Sequence, residues 1–192
     1  MPSPSVNPDA RYVNQIDSAG TLLTSSNAEL NLMDGVLATT AEINRAADAS
    51  TRVVTQSAAS LAVTELLHDK KVVLLTHTAA AATNTLPAAT GSGADFLFVV
   101  GAVNTNNHVI KVTGNDVMYG NILTNSTGDT PDLDQPWPTA ADSDTITLNG
   151  TTTGGAAIGD FVRLIDIATD KWYVFGVTTS SGAEATPFSA TV

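Results

Sequence analysis

Three histidines, His68, His77 and His108, and the acidic run GDTPDLDQPWP hold the side chains best suited to chemistry. An imidazole moves protons near neutral pH. Paired carboxylates serve as acid and base on glycosides, and clustered aspartates bind hard cations through oxygen. The spacing develops none of these. There is no H-E-x-x-H or comparable metal pattern. His108 shares a strand face with Ile110, and His68 closes a helix-like stretch, where a cation is mildly favoured, so structural roles are expected for the histidines. Asp129, Asp132 and Asp134 lie close together but lack EF-hand spacing and a downstream glutamate. A solvated loop is the expectation there. A glycosidase pair can be drawn from Asp129, Asp132, Asp142 and Asp144, as from any acid-rich loop. Trp137, between Pro136 and Pro138, has the shape to stack on a sugar; pinning its loop to the body is the simpler role. The glycine-rich pieces GSG and TTTGG are turns, since neither matches G-x-x-x-x-G-K-[ST]. No catalytic residue, cofactor or metal is expected, and the chain is read as a protein without enzymatic activity.

Charge narrows the partners. The chain of 192 residues carries a net −11 with a pI of about 4.3. Lys111 and Arg163 bracket an interval without a cation that contains Asp116, Asp129, Asp132, Asp134, Asp142, Asp144 and Asp160. Nucleic-acid binders need a basic patch to neutralise phosphates, and an acidic surface resists anionic headgroups. Neither nucleic acid nor membrane is therefore expected as a partner. Only 14% of residues are charged, against about 25% in ordinary globular domains; Ala, Thr, Ser, Asn and Gly take their place. Such a surface suits a protein whose faces are covered by neighbours. Cysteine is absent, which excludes disulfides and thiolate metal sites. MPSPSVNPDA has no basic n-region or apolar run of a signal peptide, so synthesis in a cytosol without the usual secretion signal is expected.

The elements that must position these residues divide the chain. Every aromatic residue except Tyr12 lies at or after Phe96, and large rings supply much of a small core. Residues 1–65 are read as an extended N-terminal arm and residues 66–192 as the folded body. The arm opens with Pro2, Pro4 and Pro8, which favour extended backbone. Ser26-x-x-Glu29 and Thr39-x-x-Glu42 both match the capping box, in which a hydroxyl and a carboxylate satisfy free N–H groups at a helix start. Asp34-Gly35 ends the first unit, because glycine accepts left-handed geometry. Helices this short do not persist alone in water, so Leu30, Leu32, Met33, Val36, Leu37 and Ile43 are the expected interface with another subunit or another protein. A third helix is expected from about Gln56 to His68. From Lys71 the pattern is β: KVVLLT, a strand from Phe96 to Gly101, HVIKVTG, DTITLNG with an Asn149-Gly150 turn, and a hairpin of strands 161–167 and 172–178. Residues 121–143 read as a long excursion loop. The fold class is mainly β, an antiparallel sandwich or barrel behind an arm with short helices.

Two sets of phrases carry a family resemblance. Ala28-Glu29-Leu30-Asn31, Met33-Asp34-Gly35-Val36 and Ala38-Thr39-Thr40-Ala41-Glu42-Ile43-Asn44 resemble a series that recurs in virion proteins of tailed bacteriophages, with Met33 where leucine is usual. LPAATGSGADFLFVVG, DTITLNGTTTGGAAIGDFVRLIDIATDKWYVFGV and EATPFSA resemble the β-domain of phage head decoration, or cement, proteins. Similar modules occur in tail fibres. The resemblance implies a homotrimeric, β-rich structural protein on the outer surface of the virion, bound to the major capsid protein and stabilising the shell. A tail-fibre or baseplate component, with host-glycan binding, is the alternative.

Overall fold

The computed structural model describes residues 35–47, 52–127 and 134–191, in two units, Met1–Ala47 and Asp48–Val192. In the first unit, Gly35 takes a φ of +82°, the left-handed geometry expected of it, and a helix, α1, spans Thr40–Ala47. The second capping box forms as the sequence indicates. Glu42 Oε2 accepts from Thr39 N–H at 2.7 Å, while Glu42 N–H donates to Thr39 Oγ1 at 3.3 Å. The first box, Ser26 with Glu29, lies outside the described residues.

The second unit is mainly β. Its strands are β1 (Val53–Gln56), β2 (Ser60–Ala62), β3 (Val72–Leu75), β4 (Ala82–Thr85), β5 (Asp95–Val100), β6 (His108–Lys111), β7 (Val117–Ser126), β8 (Gln135–Pro138), β9 (Thr145–Leu148), β10 (Phe161–Ala168), β11 (Lys171–Ser180) and β12 (Phe188–Ser189). Seven form a sheet in the order β1-β3-β5-β10-β11-β7-β8, and five form a second in the order β12-β9-β6-β4-β2. Neither sheet closes into a barrel. The β10–β11 hairpin pairs antiparallel as the sequence indicates, from Phe161↔Val177 to Asp166↔Trp172, and turns at Asp170 with a φ of +60°.

Pairing within the sheets is mixed rather than wholly antiparallel, for a topological reason. From β1 to β6 the chain alternates between the two layers, so strands that neighbour one another in a layer are two steps apart and run the same way. Thus β1 pairs parallel with β3, β3 with β5, β2 with β4 and β4 with β6. A strand pattern read from sequence gives face and length but not the layer to which the next strand goes. Two local expectations also change. Residues 56–68 hold the end of β1, all of β2 and only a single helical turn, α2 (Glu65–His68). Val, Thr and Ser in this stretch are poor helix residues, and the β-ladders win. Residues 53–65, assigned to the arm by the position of the aromatics, therefore belong to the body, with β1 and β2 in its sheets. The supposed excursion at 121–143 contains most of β7 and all of β8. Pro136 and Pro138 fit β8 because it is an edge strand, where a missing N–H is tolerated.

The core lies between the layers. Val73, Leu75, Phe96, Phe98, Met118, Ile122, Val162, Leu164, Trp172 and Val174 meet Leu86, Ile110, Ile146 and Leu148. Within the seven-stranded sheet, β7 runs parallel to β11 over its whole length, with Gly120 opposite Val174. A Cβ at Gly120 would lie 1.9 Å from the Val174 carbonyl oxygen, and its φ is +145°, so only glycine fits there.

Candidate functional site

The residues singled out for chemistry turn out to hold the chain together. His68 Nδ1 lies 3.0 Å from Thr64 N and 3.1 Å from its carbonyl oxygen. His77 Nδ1 meets Ser57 O at 2.9 Å, and His108 Nε2 meets Ala102 O at 3.0 Å. Burial pushes the pKa of His68 and of His108 down, against a smaller upward pull from their backbone partners. His68 thus braces the start of its own helical turn, while His77 and His108 tie their strands' ends to other main-chain positions.

The aspartates of the cation-free interval divide in the same way. Asp116 is buried and accepts from Ala89 N–H at 2.7 Å and Trp172 Nε1–H at 3.2 Å. Asp160 accepts from Thr179 N–H, Thr179 Oγ1–H and Ala157 N–H. Asp144 accepts from Thr145 Oγ1–H and Thr191 N–H. A carboxylate with several N–H donors replaces lost hydration without a cation. Three of the acids that seemed to make an acidic face are therefore internal latches. Asp142 borders a shallow hollow with Asn115, Asp116 and Asp144. Asp134 is exposed ahead of β8; Asp129 and Asp132 lie outside the described residues. Among the described residues no three His, Asp or Glu side chains converge as a metal set. Trp137 packs against the core from the edge strand, so it pins its segment to the body. Trp172 is fully buried while Tyr173 is 44% exposed, as expected of successive residues on opposite faces of a strand.

Of the six expected interface residues, Val36 and Leu37 are exposed, Leu37 almost completely. Ile43 is half-buried. Leu30, Leu32 and Met33 lie outside the described residues.

A larger apolar surface was not anticipated. The seven-stranded sheet has one face in the core and another, outward face that is also apolar. Cross-strand register aligns it in rows. One row runs Leu74, Val99, Phe161, Val177, Leu123, Pro136, across β3, β5, β10, β11, β7 and β8. The next runs Val53, Val72, Leu97, Arg163, Phe175. A third places Ile165 beside Tyr173 and Tyr119. Tyr119, Tyr173 and Phe175 are each more than 40% exposed, and Phe161 meets Phe175 edge to face at 6.2 Å. At roughly 4.8 Å per strand, the first row is about 24 Å wide. Most of the first row is half-buried, and exposure concentrates at Val53, Tyr119, Tyr173 and Phe175; a contiguous exposed apolar patch of this kind marks an interaction site.

A signal for this face is present in the sequence. DFLFVV, FVRLI and WYVFGV are apolar at both odd and even positions. Strands covered on both sides read this way, whereas a half-solvated antiparallel strand alternates. Among the described residues only one of the two sides is covered. No protein-family model matches the chain, and no curated protein matches it in sequence.

Proposed function

We propose that this protein is a structural component of a virus particle, a capsid decoration or cement protein that binds the outer surface of the major capsid protein and stabilises the shell. The outward apolar face of the seven-stranded sheet carries the reading, because a face of that size is soluble at high copy only when something covers it. The low charge content and the resemblance of its phrases to those of phage head decoration proteins support the same reading. In it, the body docks through the sheet face. The arm, with Leu30, Leu32, Met33, Val36, Leu37 and Ile43, adds apolar area on neighbouring surface at roughly 25 cal/mol per Å² before association costs. Repetition over a shell makes the attachment multivalent, and a homotrimer would multiply it further.

The test uses shells assembled without this protein. Wild type should bind them saturably and raise the temperature at which they rupture. Phe175→Ser, at a partly exposed position, should leave the fold's stability within about 1 kcal/mol yet weaken shell binding about thirtyfold, the scale of an aromatic anchor. Deleting residues 1–50 should also weaken binding. Undiminished affinity of both variants would remove the basis of the reading. The tail-fibre alternative predicts few copies per particle and attachment of the isolated protein to host cells. A stained gel of purified particles, giving copy number relative to the major capsid protein, separates the two.

A further inference from the structure

The outward face has an electrical polarity. Toward its β3–β5–β10 side lies a groove of about 490 Å³ lined by Lys70, Lys71, Val72, Asp95, Leu97, Phe161, Arg163 and Phe175. Three cations and one carboxylate give the groove a formal +2 in a chain of −11. Arg163 is clamped by Asp95 through two hydrogen bonds, with Nε–Oδ1 at 2.8 Å and Nη2–Oδ2 at 2.5 Å. Lys70 has the left-handed φ of +57° that a side chain seldom adopts, held by its N–H donating to Asp95 O at 2.8 Å. Its side chain is exposed. Asp69, at the same end, turns its carboxylate to the Asp95 N–H. Lys70 and Lys71 therefore stand just ahead of β3, at the end of the apolar rows, while Arg163 lies within the second row, paired with Asp95.

We propose that this face binds an acidic protein surface: an apolar patch on the shell subunit, flanked by carboxylates that face the exposed Lys70. The inference rests on the decoration reading and adds the chemistry of the partner. Charge complementarity selects the occupant. A second copy joined face to face by a two-fold axis would bring two +2 grooves into one interface. An anionic glycan needs polar partners along its length, and the rows are mainly aliphatic. Three cations are too few to hold a nucleic acid or an anionic membrane against a net −11. Opposed charge at the rim sets orientation and encounter rate, while the rows supply the affinity.

The experiment titrates full-length protein onto shells assembled without it, at low salt and at about 1 M salt, where the screening length is roughly 3 Å. Lys70→Glu/Lys71→Glu should bind about tenfold more weakly than wild type at low salt, and the difference should vanish at high salt. Lys70→Glu alone, which changes only an exposed side chain, should show part of that loss. Melting temperatures of both variants report whether they fold as wild type does. If wild type binds and both folded variants bind equally well at every salt concentration, the acidic partner is ruled out while the decoration reading stands. If wild type binds no shell, both fall. Salt-sensitive binding to a heparin column that the two glutamates abolish, or a stable oligomer of free protein that they disrupt, would also overturn the proposal by naming a different occupant.

Discussion

Trp172→Ala is expected to lower the unfolding free energy by about 4 kcal/mol, within the usual range for removing a large buried ring. Trp172 is fully buried. In the sheet it stands between Asp166 on β10 and Met118 on β7, and its ring centre is 5.7 Å from that of Phe96. Alanine there leaves a cavity walled by strands that cannot collapse without breaking two ladders. Asp116 would lose one donor but keep Ala89 N–H. Trp172→Phe separates the two contributions: most of the apolar volume remains and the indole hydrogen bond goes, so a loss of about 1–2 kcal/mol is expected. Urea unfolding followed by far-UV circular dichroism measures both. Equal losses for the two variants would mean that the bond to Asp116, and not the filled volume, dominates.

Asp166→Ala should cost a similar amount through a different cause. Its buried carboxylate gathers donors from one loop: Thr90 N–H at 2.9 Å and Ser92 N–H at 3.0 Å on Oδ2, Gly91 N–H at 2.7 Å on Oδ1, and the hydroxyls of Thr90 and Ser92 on Oδ2. Gly93 N–H and Ala94 O complete the attachment through the Asp166 backbone. Alanine strands three N–H groups facing a hole, a loss of about 3–5 kcal/mol after allowing for water that enters. Asparagine, with its oxygen at the Oδ2 position, keeps most donors and sets its NH₂ against Gly91 N–H, so about half that loss is expected. The ordering Ala below Asn below wild type is the measurable outcome. Equal stability of Asp166→Ala and wild type would show that the loop needs no anchor.

The same carboxylate gives a pH dependence. Burial alone raises its pKa, but the donors of Thr90, Ser92 and Gly91 together outweigh burial and hold it below its ordinary value of 3.8. A folded-state pKa below the unfolded one stabilises the protein above the unfolded value. That contribution is lost as pH falls through the folded value. Asp160 is opposite: burial, the largest influence, keeps its pKa above the ordinary value despite hydrogen bonds from Thr179 and Ala157. Its contribution favours folding at acid pH and is lost as pH rises through the folded value. Stability measured at pH 7 and at pH 3 should therefore differ less in Asp166→Ala than in wild type. A variant with the same acid slope as wild type would locate that slope elsewhere.

Local features were legible because they depend on neighbours in sequence. The Thr39–Glu42 cap, the Phe161–Ser180 hairpin and the inward positions His108, Ile110, Ile146 and Leu148 all follow from spacing of two, three or four residues. Features that depend on which distant strand lies alongside were not. Nothing in VVTQ or SLA says that these short pieces seed separate layers. The aspartate latches escaped for a related reason: the donors to Asp166 are more than seventy residues away. The outward sheet face was half legible. Its two-sided apolar strands are written in the sequence, but finding the uncovered side needed both layers in place.

The alternation from β1 to β6 has a consequence for how this body can vary. Among the described residues, β1 and β2, adjacent in the chain, are the outermost strands of the two sheets at one end, so there both ladders reach their described limit within residues 53–62. The body is wound like thread on a flat bobbin, and its first turn lies on the outside. Another turn of thread, one strand for each layer, could be laid there without unpicking any pair already made, so length can change at that end while the Trp172 core and the latched loops stay as they are.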